Sequence, residues 1–161
     1  MSTPEYKRFK SATIRRPDDV PPATPLSWHV ERFSEHDERL QARSLPEDFP
    51  YEVERGNLGD AIAAIALRES MHRMIEAQRG SRIREAMEMG ATWYEMAAAL
   101  DVTPDDARAL LREWADGQHR LHRGDVERAA GNPLGLSSER HAQVLALTEL
   151  GDNEAARTAA R

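Results

Sequence analysis

This 161-residue chain predicts an all-α fold, and three observations support that prediction. Apolar residues recur at three- and four-residue spacing through most of the chain after Asn57, the period of a helix face and not of a strand. Helix-start residues, Asn57, Ser81, Thr92, Thr103 and Ser137 or Ser138, stand immediately before those periodic runs. The 9 prolines fall mostly early and alanine is abundant later, which separates an irregular head from a helical body.

Composition bounds what such a chain does. With 40% apolar and 31% charged residues it buries one modest core, so a single domain with polar extensions is the default. The absence of cysteine excludes disulfides, thiol nucleophiles and thiolate metal sites, and fits a cytoplasmic setting. No apolar run reaches membrane-spanning length. A net charge of -6 argues against bulk polyanion binding, so any DNA contact has to come from local patches.

Residues 1–25 hold Lys7, Arg8, Lys10, Arg15 and Arg16, then Pro17, Pro21, Pro22 and Pro25, and read as a disordered basic arm ending in an extended linker. It is either a solvated tail or a phosphate-contacting arm. Residues 26–56 form an acidic segment. Leu26 to Arg43 reads as a helix or two short turns anchored by Trp28, Phe33 and Leu40, and a Pro46- and Pro50-containing loop follows, with a short extended stretch around Tyr51 and Val53. Its carboxylates suit a solvated face, a mask for a basic surface of the same chain or a dock for a basic protein partner.

Residues 57–131 are the expected helical core. Asn57 caps a helix running to about Gln78, in which Ile62, Ile65, Leu67, Met71, Met74 and Ile75 make a wide apolar surface suited to several neighbours and to a homodimer seam. Gly80 and Ser81 are expected to break it and restart a helix to Met89, with Ile83, Ala86 and Met87 inward. Thr92 then caps a short helix with Trp93, Met96, Ala97 and Leu100 on one face, Ala97 being small enough to let a second helix cross close by. Asp101 and Val102 make the turn, Val102 plugging it from beneath. Thr103 and Pro104 start the second helix, whose buried stripe is Ala107, Leu110, Leu111 and Trp114. That helix continues or bends at Gly117. Residues 132–161 hold a last helix with His141, Val144, Leu145, Leu147 and Leu150 as its stripe, and a fraying tail.

The stretch from Ala97 through Leu100, Asp101, Val102 and Thr103 to Ala107 and Leu110 resembles the helix-turn-helix of bacterial regulators and of the sigma-factor DNA-binding region, with residues 81–114 as a homeodomain-like three-helix unit. Asp101 stands where that family most often has glycine. The resemblance implies a second helix that enters the major groove of double-stranded DNA, with Thr103, Asp105, Arg108 and Arg112 among its outward residues, and phosphate contacts from Arg79, Arg82 and Arg84. Those three arginines equally suit pairing with carboxylates one turn away.

Chemistry of other kinds is thin. His119 and His122 sit three residues apart near Asp116 and Asp125, a bare spacing too common to name a metal site. No phosphate-binding glycine loop, nucleophile elbow or cofactor motif occurs, so the chain reads as no enzyme and as needing no cofactor. Two expectations follow: a sequence-specific DNA-binding transcriptional regulator or accessory factor, or a non-catalytic protein–protein interaction module that keeps the hairpin for packing.

Overall fold

Thr3 accepts a hydrogen bond from the Tyr6 amide and Pro4 fills the first helical position, so the basic head begins as a helix, α1 (Pro4–Ser11). The structure is a computed structural model, and it describes residues 3–156. It is all-α: five further helices follow, α2 (Leu26–Gln41), α3 (Leu58–Glu88), α4 (Trp93–Leu100), α5 (Pro104–Glu127) and α6 (Ser138–Leu147), with no strand among the described residues. The chain divides into two compact units, Met1–Glu76 and Ala77–Arg161. None of the described helices is long and apolar enough to cross a membrane.

In the first unit the basic head is folded, which corrects the expectation of a disordered arm. Phe9 and Ile14, at 0% and 2% exposure, join Ala63, Ala66 and Leu67 of α3 in a core that Val20, Trp28 and Phe33 border. These two side chains anchor a charge-dense stretch, each burial contributing about 1.5–3 kcal/mol. Arg32 of α2 locks the arrangement by donating to the Phe9 and Ala12 carbonyls at the end of α1. Buried alongside it is His29, with Nδ1 3.0 Å from the Pro25 carbonyl oxygen and Nε2 3.1 Å from Ser70 Oγ. No strand forms around Tyr51 and Val53. Arg55 instead holds the acidic loop by donating to the Ala42, Leu45 and Pro46 carbonyls.

Asn57 caps α3 as its spacing predicts, Oδ1 accepting from the Asp60 amide at 3.1 Å while Asp60 Oδ2 accepts from the Asn57 amide at 2.9 Å. Asp60 Oδ1 also takes Arg39 Nε at 2.9 Å and His36 Nδ1 at 2.8 Å. Burial would raise this carboxyl, but the Asn57 amide, His36 and Arg39 outweigh it and hold the group well below its usual range.

The expected break at Gly80 and Ser81 is absent, for α3 is helical through both. Gly80 marks a close approach: a Cβ there would lie 2.2 Å from Trp114 Cβ and Cγ, so only glycine lets α5 pack so near. The second core gathers Ile83 and Met87 of α3, Trp93 of α4, Ala107, Leu111 and Ala115 of α5, then Leu136 and Val144. α5 runs straight through Gly117 to Glu127. Ser137 accepts from the Arg140 amide at the start of α6, and Gly135 takes a left-handed φ of 80° beside the Gln118 carbonyl. Of the C-terminal tail, residues 157–161 lie outside the described residues.

Candidate functional site

α4 and α5 are joined by a turn of three residues whose local chemistry is complete at each end. Thr92 and Glu95 make a reciprocal cap: Thr92 Oγ1 accepts from the Glu95 amide at 3.2 Å and Glu95 Oε2 accepts from the Thr92 amide at 2.8 Å. Those hydrogen bonds from Thr92 hold the Glu95 carboxyl below its usual range. At the other end Asp101 adopts the left-handed region, φ 54° and ψ 46°, and the Val102 amide returns to the Ala97 carbonyl at 3.0 Å. Val102 is 38% exposed and does not plug the turn from beneath. Thr103 then accepts from the Asp106 amide at 3.1 Å, opening α5 with Pro104 at its first position.

The outward positions expected on α5 divide in two. Thr103, Asp105 and Asp106 stand exposed at the leading turn, the Asp105 side chain at 94%, and Arg112 keeps 46% of its side chain open. Arg108 is a correction, since at 8% exposure it does not face outward. Its guanidinium stacks 5.4 Å over the Trp93 ring, donates to Asp105 Oδ1 at 3.0 Å, and through Nη2 reaches the Leu150 carbonyl at 2.9 Å and Asp152 at 2.6 Å. The helical period explains this. Arg108 follows Ala107 and precedes Leu111 by three, so it borders the buried stripe instead of opposing it.

The three arginines of α3 also separate. Arg82 is 73% exposed and paired at 2.7 Å with Glu85 of its own helix. Arg84 is drawn inward, 5.4 Å over the Trp114 ring, with Nε 3.8 Å from Glu88 Oε1 one turn on, so it packs and pairs within the chain and is not an open phosphate contact. Arg79 is half-buried and engaged with other groups.

What spacing in the sequence misses is the turn after α6. The Tyr94 amide donates to the Asp152 carbonyl at 2.9 Å, Trp93 Nε1 donates to the Leu147 carbonyl at 2.9 Å, and Arg112 Nε donates to Thr148 Oγ1 at 3.3 Å. Residues 147–152 therefore meet the starts of both α4 and α5. Farther along α5, the His119 ring stacks on His141 with centroids 4.5 Å apart, and His141 Nε2 lies 2.7 Å from Asp116 Oδ1. His119 and His122 are thus not a pair; His119 has a different partner. Nothing among protein-family models, curated proteins or solved structures matches the chain.

Proposed function

We propose that the second unit is a helix-turn-helix that binds double-stranded DNA, and that the protein is a transcriptional regulator or accessory factor. The observation that carries this reading is the α4–turn–α5 arrangement. A left-handed Asp101 follows buried Ala97, and the exposed side of the helix that opens at Thr103 carries Asp105, Ala109 and Arg112. Arg112 and Arg82 are the open cations of the expected set and take the phosphate-contacting roles, with Thr103 adding a backbone contact. Asp105 is left to accept from a cytosine amino group, the one base-edge contact that suits a carboxylate. A two-fold pair of such units would read half-sites about one helical turn apart.

The test is fluorescence anisotropy with a labelled random-sequence duplex pool. Binding is expected at low salt, falling steeply as salt rises, and weakened in Arg112→Ala and Arg82→Ala. An isotherm that neither salt nor those substitutions move would overturn the reading. One observation favours a second one. Asp105 and Asp106 lead α5 exposed, a poor footprint for phosphates, and Tyr94 stands 65% open on α4. That is the surface of a protein–protein interaction module, and its sign is selectivity for a basic protein partner over any duplex.

A further inference from the structure

Inside the first unit, α1, the proline loop and the start of α2 border a cleft of about 420 Å³, the size of a small-molecule site. Its apolar side is held in place. Trp28 of α2 stands edge-on to Tyr6 with ring centroids 5.0 Å apart and lies tilted against Phe9 at 6.0 Å, so the first core fixes its ring. Beside it Pro21 to Thr24 make a tight turn, the Thr24 amide donating to the Pro21 carbonyl at 3.3 Å, with Pro22 and Ala23 at the central positions. Ala23 has a left-handed φ of 60°, where glycine is the residue without strain. It is exposed, so packing within the chain does little to offset its methyl group, which is left to shape the wall of the cleft.

The opposite side carries two charges of opposite sign. Glu5 and Arg8 are three residues apart on α1 and both line the cleft. Both are exposed, and neither side chain has a partner among the described residues, not even the other. A simple anion would meet Glu5 as a like charge, and a simple cation would meet Arg8 so. A small zwitterion with an apolar body complements every part: a carboxylate for the guanidinium fork, an ammonium for the glutamate, and a ring for the indole and the prolines.

We propose that this cleft binds a free aromatic amino acid, with its α-carboxylate on Arg8, its α-ammonium on Glu5 and its ring against Trp28 and Pro22. The site lies wholly in the first unit and uses nothing of the α4–turn–α5 arrangement, so it stands or falls apart from the DNA reading.

The experiment titrates the full chain with L-phenylalanine, with phenylpropionate, which lacks the ammonium, and with phenethylamine, which lacks the carboxylate. The readouts are the indole N–H resonances and titration calorimetry. Phenylalanine is expected to move the Trp28 resonance in a saturable way at millimolar concentrations or below and to leave that of Trp93 in place. Each analogue should bind about fivefold more weakly, the share of one exposed ion pair. Arg8→Gln should weaken phenylalanine about fivefold and leave phenethylamine unchanged, and Glu5→Gln should weaken phenylalanine and leave phenylpropionate unchanged. A Trp28 resonance that phenylalanine never moves overturns the proposal. So does equal binding of all three compounds to the wild type, which would make the cleft a plain apolar surface, and so does a variant that weakens all three alike. Should either variant fail to fold, the comparison of the three compounds on the wild type still decides.

Discussion

The two units solve the problem of a small core in opposite ways. The first fills its interior with five apolar residues and then fastens it with buried polar groups: Arg32 on the end of α1, His29 between Pro25 and Ser70, and Asp60 under Arg39 and His36. The second packs a larger apolar cluster around Trp93, with Arg108 and Thr148 as its buried polar groups, and reaches close helix contact at Gly80. Polar fastening specifies one arrangement but makes it fail sharply when a partner is removed. Apolar packing fails in proportion to the volume taken away.

The largest effect should come from Trp93→Ala, which empties the second core and removes the indole donor to the Leu147 carbonyl. Urea unfolding followed by circular dichroism should show a loss of about 4 kcal/mol. A loss below that of any polar substitution in the first unit would invert the comparison. Asp60→Asn should follow at about 3 kcal/mol, because the amide removes the buried negative charge that pairs with Arg39 and leaves one acceptor oxygen where Arg39, His36 and the Asn57 amide share two. That variant also sharpens the contrast through pH. Folding lowers the Asp60 carboxyl, so the unfolded chain binds the proton first. Its stabilisation is complete above the ordinary value of 3.8 and drains away as pH falls below it. Protection of the α2 amides, corrected for the intrinsic exchange rate at each pH, should fall with acid in the wild type and lose most of that slope in Asp60→Asn.

Gly80→Ala should be milder. The new methyl collides with the base of the Trp114 side chain, at a penalty of about 3 kcal/mol, while helix propensity returns about 1 kcal/mol, leaving a net loss of about 2 kcal/mol. A gain in thermal stability would mean that α5 shifts freely and that the contact is not tight. Arg112→Ala should do least to folding, under about 0.5 kcal/mol for an exposed position, and should lower duplex affinity about fivefold. A large loss of stability there would make Arg112 a packing residue like Arg84.

Local chemistry was readable from the chain; distant pairing was not. The all-α class, the caps at Asn57, Thr92, Thr103 and Ser137, and the stripe of Ala107 and Leu111 follow from spacing and side-chain type within a few residues. The basic head was misjudged because charge density hid Phe9 and Ile14, whose burial depends on α3 some fifty residues on. Gly80 looked like a breaker because its local propensity points that way, and only the arrival of Trp114 shows why glycine stands there. Arg108 borders the buried stripe by spacing alone, but spacing does not say what covers it. Its partners at Leu150 and Asp152 lie 42 and 44 residues away, beyond the reach of any periodicity.

The missing side chain at Gly80 has one more consequence. Where two helices touch through a bare backbone, their separation is set by atoms that no point mutation on the outer surface of α5 can alter. Descendants of this chain would thus be free to rewrite positions such as Asp105, Ala109 and Arg112 while presenting them at the same tilt. Change at that surface would then proceed by repainting a fixed frame, with the hidden glycine as its constant.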